Sequence, residues 1–180
     1  EGEILVKNDC TMVGYYKEPE KTAETITPDG FLCTGDMGEI DAEGFLKITG
    51  RIKELFKTDK GKYVAPAPIE LELFKNQHIA QICVVGANLK QPIALIVLEE
   101  DIQLSKEEVE QDLLKTLEEV NASLDNHERI AKYVIMSEPW TVENNLITPT
   151  MKVKRNELEK KYTAHFLKWQ AQKEDKIIWE

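Results

Sequence analysis

The stretch Asp29-Gly-Phe-Leu-Cys-Thr-Gly-Asp36, followed by Gly50-Arg51-Ile52-Lys53-Glu54, constrains this chain more than any other feature. Asp36 follows Gly35 in one turn, and Arg51 follows Gly50 in another. Between them, residues 37–49 read as strand, turn at Asp41-Ala-Glu-Gly44, and strand, with partial two-residue alternation in Phe45–Thr49. An antiparallel return of this kind brings Asp36 and Arg51 together at one rim. A carboxylate there accepts hydrogen bonds from a sugar diol, and a guanidinium fork grips a phosphate or a second hydroxyl. The pair therefore suggests a nucleotide, although by residue type alone turn-borne Asp and Arg are more often structural.

The rest of the first 50 residues also reads as short strands and turns, with Glu3–Val6 a strand and Pro28-Asp-Gly30 a turn. This region holds too little apolar sequence for a self-sufficient core, so it is expected to pack on something upstream. The opening Glu1-Gly-Glu-Ile-Leu-Val reads as mid-strand without an initiator Met, the expectation being a piece of a longer protein. From Lys53 the pattern turns mixed α/β. A hairpin is expected around Asp59-Lys-Gly61, then a helix from Pro68 to about Lys75. Apolar strands follow at Ile79–Gly86 and Ile93–Leu98, separated by a polar turn at Asn88–Gln91. Ser105 and Glu108 form a capping box, and Val109, Leu113, Leu117, Val120 and Leu124 recur at helical spacing. A further helical piece carries Ile130, a third strand covers Tyr133–Met136, and Val153 to about Trp169 is helical. The tail from Gln170 is polar until Ile177-Ile-Trp179, and either docks or hangs loose. The expected class is α/β (α+β): residues 1–51 a β-rich piece of a larger domain, and 52–180 a small mixed domain with a three-stranded sheet and flanking helices.

A formal charge of −10 argues against a general nucleic-acid partner, which wants a basic face. Acid concentrates in Glu99–Glu128, a solvated helix face, whereas Lys152–Lys161 is mostly basic and could meet an anionic substrate. Cys10, Cys33 and Cys83 are far apart, which fits a reducing, cytoplasmic setting without thiolate metal sites, and the histidines show no ligand spacing. No apolar run reaches the length of a membrane span. Peripheral membrane contact and a homodimer stay open.

Taken in order, Glu3-Ile-Leu-Val6, Gly14–Ala23, Asp29–Asp36, Gly50–Glu54, Tyr63-Val-Ala-Pro-Ala-Pro-Ile-Glu70 and Leu146-Ile-Thr-Pro-Thr-Met-Lys-Val-Lys-Arg155 resemble the adenylate-forming superfamily. Their wording is most similar to long-chain fatty acyl-CoA synthetases. The resemblance implies the C-terminal part of an enzyme that joins a fatty acid to ATP as acyl-adenylate, then passes the acyl group to CoA. ATP, Mg2+ and CoA are the implied cofactor and co-substrates, and the N-terminal domain of the same chain is the implied partner.

On that resemblance Lys152 is the catalytic cation, Asp36 the ribose ligand, Arg51 a nucleotide contact, and Lys53 the hinge between a large domain and a mobile lid. Where relatives carry a Ser/Thr-Gly-Gly run on the CoA side, this chain has Lys57-Thr-Asp-Lys-Gly61, keeping only Gly61, itself read as a turn glycine at positive φ. Lys57 is a further CoA-side candidate. Lys154 and Arg155 read as solvated or paired with Glu157 and Glu159, the alternative being CoA phosphate steering. No phosphate loop is present, so the segment alone is expected to be inactive. The alternatives are an adenylation domain that loads a carrier protein, and a non-catalytic regulatory or interaction module.

Overall fold

A computed structural model describes residues 2–172 and 175–180, and the chain divides into two compact units, Glu1–Leu55 and Phe56–Glu180. In the first unit, β1 (Gly2–Val6), β2 (Leu32–Ile40) and β3 (Leu46–Arg51) form an antiparallel sheet in the order β1-β2-β3. The β2–β3 turn is built by Asp41, whose Oδ1 accepts from the backbone N–H groups of Glu43 (3.0 Å) and Phe45 (2.8 Å). Gly44 supplies the positive φ of 90° that such a turn requires. A seven-residue helix, α1 (Pro19–Thr25), lies where only turns were expected; Pro19 presets its first turn and the Thr22 hydroxyl donates back to the Glu18 carbonyl. Among the described residues of this unit no large apolar side chain is buried, while Val13, Tyr16, Ile40, Phe45 and Ile48 are all exposed. The expected shortage of core is therefore real.

The second unit holds the core. Its hairpin, β4 (Phe56–Lys57) with β5 (Tyr63–Val64), closes around Asp59-Lys-Gly61 as expected, and Ile52–Glu54 forms a 3-10 turn. Helix α2 (Pro66–Leu73) starts two residues early, at the first of its two prolines. The main sheet has four strands, not three: β6 (Ile79–Val85), β7 (Ile93–Leu98), β8 (Tyr133–Ile135) and β9 (Ile177–Trp179), in that order. β6 and β7 are antiparallel, and β8 and β9 add in parallel. The fourth strand comes from the tail. Its short apolar run pairs with the edge that β8 would otherwise leave open, and so satisfies backbone groups there.

Both faces of this sheet are covered. Val84, Ala94, Ile96, Tyr133 and Ile135 point to one face, where α2 and α3 (Lys106–Ser123) pack. Cys83, Val85, Ile93, Leu95, Val134 and Ile178 point to the other, under α4 (Arg155–Ala171) with Trp140, Phe166 and Trp169. The alternation explains why these strands read as unbroken apolar runs. α3 carries the full capping box, and its Val109, Leu113, Leu117 and Val120 are buried, each side chain stabilising by about 1.5–3 kcal/mol. It ends at Ser123; no helix continues to Ile130, whose backbone N–H and carbonyl are both taken by the Asn121 side chain.

Candidate functional site

Asp36 and Arg51 are paired in register across β2 and β3, and the Arg51 Nε donates to Asp36 Oδ1 at 2.7 Å. A register shift between Met37 and Gly38 twists the sheet just where this pair sits. The Asp36 side chain is 25% exposed and that of Arg51 60% exposed, so the pair occupies a rim. One arginine nitrogen uses only part of a carboxylate's acceptor capacity, which leaves room for a diol. Beside the pair, Glu3, Tyr15, Thr34, Gly35, Arg51 and Lys53 help line a pocket of about 430 Å³. Its wall is tied together by the Gly35 N–H on Glu3 Oε1 (3.0 Å) and the Thr34 hydroxyl on the Ile4 carbonyl (2.8 Å). Nothing local in the sequence marks Glu3 or Tyr15 as neighbours of this pair, whereas the Thr34 hydroxyl accepts from the Asp36 N–H two residues on.

Lys53 lies in the 3-10 turn Ile52–Glu54 and is exposed. In the second unit, Gly61 adopts φ 72° and its N–H donates to the Thr58 carbonyl at 2.9 Å, so it is the turn glycine that the sequence indicated. Lys57 stands over the Tyr63 ring, 4.7 Å from its centroid.

Lys152 occupies a tight loop whose two sides are pinned by a bridge between Ile147 and Val153. The Thr148 N–H donates to the Lys152 carbonyl (2.8 Å), and the Thr148 hydroxyl oxygen accepts from the Lys152 N–H (3.0 Å). Met151 turns the chain with φ 63°, an uncommon value outside glycine. The loop tip, Met151 and Lys152, is exposed, whereas its root residues Leu146 and Ile147 are buried. Among the described residues the Lys152 ammonium makes no hydrogen bond or ion pair, so the cation projects from a rigid base.

Arg155 differs from its expected setting. It turns inward, donating from Nη2 to Glu70 Oε1 at 2.7 Å and from Nη1 to the Val84 carbonyl and to Cys83 Sγ. Glu157 instead takes Lys160 (2.8 Å), and Lys154 reaches Asn145 Oδ1 (2.6 Å). Burial pushes the Glu159 carboxyl up, with the nearby Arg155 charge opposing. The inward turn has a packing cause: the first turn of α4 meets the β6 edge, where unpaired backbone groups await partners.

No three His, Cys, Asp or Glu side chains converge among the described residues. The described groups therefore form no cage of three or more protein ligands, whereas magnesium that travels with nucleotide phosphates needs only one or two carboxylates. No helix among the described residues is long and apolar enough to cross a membrane.

The chain is 36% identical to long-chain-fatty-acid–CoA ligase 5 of Mus musculus, over 89% of this chain and 26% of that protein. It is 35% identical to long-chain-fatty-acid–CoA ligase 1 of Homo sapiens, over 88% and 25%. It thus spans about a quarter of the length of the curated relatives it matches. Among solved structures it superposes on the adenylation domain of a carboxylate reductase from Mycobacterium chelonae with a TM-score of 0.80 and 27% identity, over 95% of this chain and 28% of that one. A sequence model described as the AMP-binding enzyme C-terminal domain matches residues 54–171. The chain belongs to that family, the C-terminal domain of AMP-binding, adenylate-forming enzymes.

Proposed function

We propose that this chain supplies one nucleotide-binding rim and the lysine-bearing lid of an ATP-dependent ligase that makes acyl-CoA from medium- to long-chain fatty acids. The observation that carries the reading is Lys152: an exposed cation, without an ion pair among the described residues, on a loop rooted in buried residues. A fatty acid carboxylate attacks the α-phosphate of ATP, forming acyl-adenylate and releasing pyrophosphate. Negative charge concentrates on oxygen in that step, and a placed ammonium stabilises it selectively. Asp36 would accept hydrogen bonds from the ribose hydroxyls, while the outer Arg51 nitrogens face the nucleotide. CoA thiol then attacks the acyl carbon and expels AMP. Lys57 and Gly61 line the CoA side. Lys53, exposed in a short turn, would absorb the backbone rotation between the two steps, separating residues 1–51 from a lid of 52–180. Magnesium would come with the ATP phosphates. The naming of several relatives as long-chain-fatty-acid–CoA ligases supports this substrate class.

The likeness to a carboxylate reductase adenylation domain favours a second reading, in which a carrier-protein thiol replaces CoA. Assaying the full-length parent with Lys152→Ala tests the proposal. Adenylation, followed by pyrophosphate release, should fall about 10²–10³-fold. Unchanged adenylation would instead favour a non-catalytic module. CoA and a carrier offered as competing acceptors separate the two catalytic readings. Residues 1–180 alone should form no acyl-CoA, and measurable product from them would overturn that expectation.

A further inference from the structure

We propose that the buried Glu70–Arg155 pair is the positioning device for Lys152, an inference that rests on reading Lys152 as the adenylation cation. β6 is an edge strand of the main sheet. Val84 pairs with Ala94, whose N–H points away to the Lys132 carbonyl (3.0 Å). The N–H and carbonyl of Val84 therefore face outward from the sheet, at a residue that is fully buried. Unpaired, they would each cost free energy comparable to a lost hydrogen bond. Glu70 Oε1 accepts the Val84 N–H at 2.6 Å, and Arg155 Nη1 donates to the Val84 carbonyl. The same Glu70 oxygen takes Arg155 Nη2 at 2.7 Å. Two charged side chains thus close the sheet edge as a neighbouring strand would.

Helix stability does not account for this arginine. Arg155 is the first residue of α4, where the positive end of the helix dipole disfavours a cation. Its side chain is only 12% exposed and that of Glu70 18%, so both charges are largely desolvated. What the pair does is fix register. It locks the start of α4 against α2 and β6, three residues beyond Lys152. One residue nearer the loop, the Lys154 N–H donates to the Leu146 carbonyl at 2.8 Å, closing the loop root. With both anchors set, the Lys152 backbone has one place from which to project its ammonium. Arg155 is thus a positioning residue.

The test uses the full-length parent enzyme with Arg155→Lys, Glu70→Gln, Lys152→Ala and the Arg155→Lys/Lys152→Ala double variant. Lysine keeps the charge but cannot bridge Glu70 and the Val84 carbonyl with one planar fork. Displacing a reacting group by about 1 Å costs up to about 10²-fold, so adenylation kcat should fall about 10- to 100-fold with KM for ATP unchanged. Thioester formation from supplied acyl-adenylate and CoA should stay close to wild type, since the role proposed for Lys152 belongs to adenylation alone. In the Lys152→Ala background, Arg155→Lys should add no further loss. Wild-type adenylation by Arg155→Lys, an equal fall in both steps, or an additive loss in the double variant each overturns the proposal. Should Arg155→Lys not fold, Glu70→Gln, which keeps an acceptor for Val84, should show the same split between the two steps, and an equal fall in both or none in either overturns the proposal. Full adenylation by Lys152→Ala is a separate outcome: it removes the reading of Lys152 itself, and this inference with it.

Discussion

Arg51 grips Asp36 across a β2–β3 cross-strand pair at 2.7 Å, so the two groups proposed to bind the nucleotide already hold each other. Pre-engagement of this kind orients both side chains before ligand arrives, and spares part of the ordering cost on binding. As an exposed ion pair it contributes only about 0.2–1 kcal/mol to folding. Asp36→Asn in the full-length parent should therefore leave the melting temperature nearly unchanged. ATP affinity should weaken about 10- to 100-fold, the equivalent of about 1.5–3 kcal/mol for hydrogen bonds to a charged group. Calorimetric titration with ATP checks this, and equal affinity for both proteins would make the pair structural only.

Gly86 ends β6 without needing a left-handed backbone, yet it admits no side chain. A Cβ there would stand 2.6 Å from Phe56 Cε2 and 2.9 Å from the Pro92 Cα. Phe56 belongs to the core beneath α2, and the Pro92 atom is backbone, so neither yields freely. Gly86→Ala should destabilise the second unit by about 1–3 kcal/mol. Urea unfolding followed by tryptophan fluorescence reads this directly.

The tail strand is tethered by more than its ladder. Trp169 Nε1 donates to Glu180 Oε2 at 2.8 Å, and Trp179 Nε1 donates to Glu110 Oε1 at 2.6 Å. Trp169 is fully buried, so Glu180→Ala strands its indole N–H at a cost of about 1–3 kcal/mol. Hydrogen exchange should show loss of amide protection across Ile177–Trp179, with protection in Ile93–Leu98 kept. Equal protection in both proteins would show that the ladder suffices.

Acid should loosen the start of α3 first. The Ser105 backbone N–H and then its hydroxyl donate to Glu108, holding that carboxyl below its ordinary value of 4.5. A depressed folded pKa gives stability that is present above the unfolded value and lost as pH falls through the folded one. Exchange at the Ser105 and Glu108 amides, followed downward from pH 4.5, should rise before that of the α3 interior. Lys132 moves stability in the same direction with pH, for a different reason. Burial lowers its pKa below 10.5, so its unfavourable desolvation is relieved, and stability gained, as pH rises through the folded value.

Much of the second unit was legible because its signals are local. The Ser105–Glu108 box, the buried stripe from Val109 to Val120 and the turn at Gly61 each depend on neighbours within a few residues. The strand–turn–strand of Asp36 to Arg51 was legible for the same reason, its Asp41 turn fixing the return. Ile130 misled because an apolar residue after a helix looks like its continuation; the Asn121 side chain, nine residues away, captures it instead. Glu3 became part of the candidate site only when β1 came to lie against β2.

By itself the sequence determined the local conformations, the apolar faces and the family to which they belong. Tertiary structure decided where charges and edges found partners. Arg155 stands one turn from Glu159 along its own helix, yet it donates to Glu70, 85 residues away, because the buried edge of β6 leaves Val84 in need of both a donor and an acceptor. Ile177–Trp179 became a fourth strand because β8 presented an open edge. Periodicity reports which face a residue prefers, but a backbone group seeking a partner leaves no mark on the chain until the elements are packed.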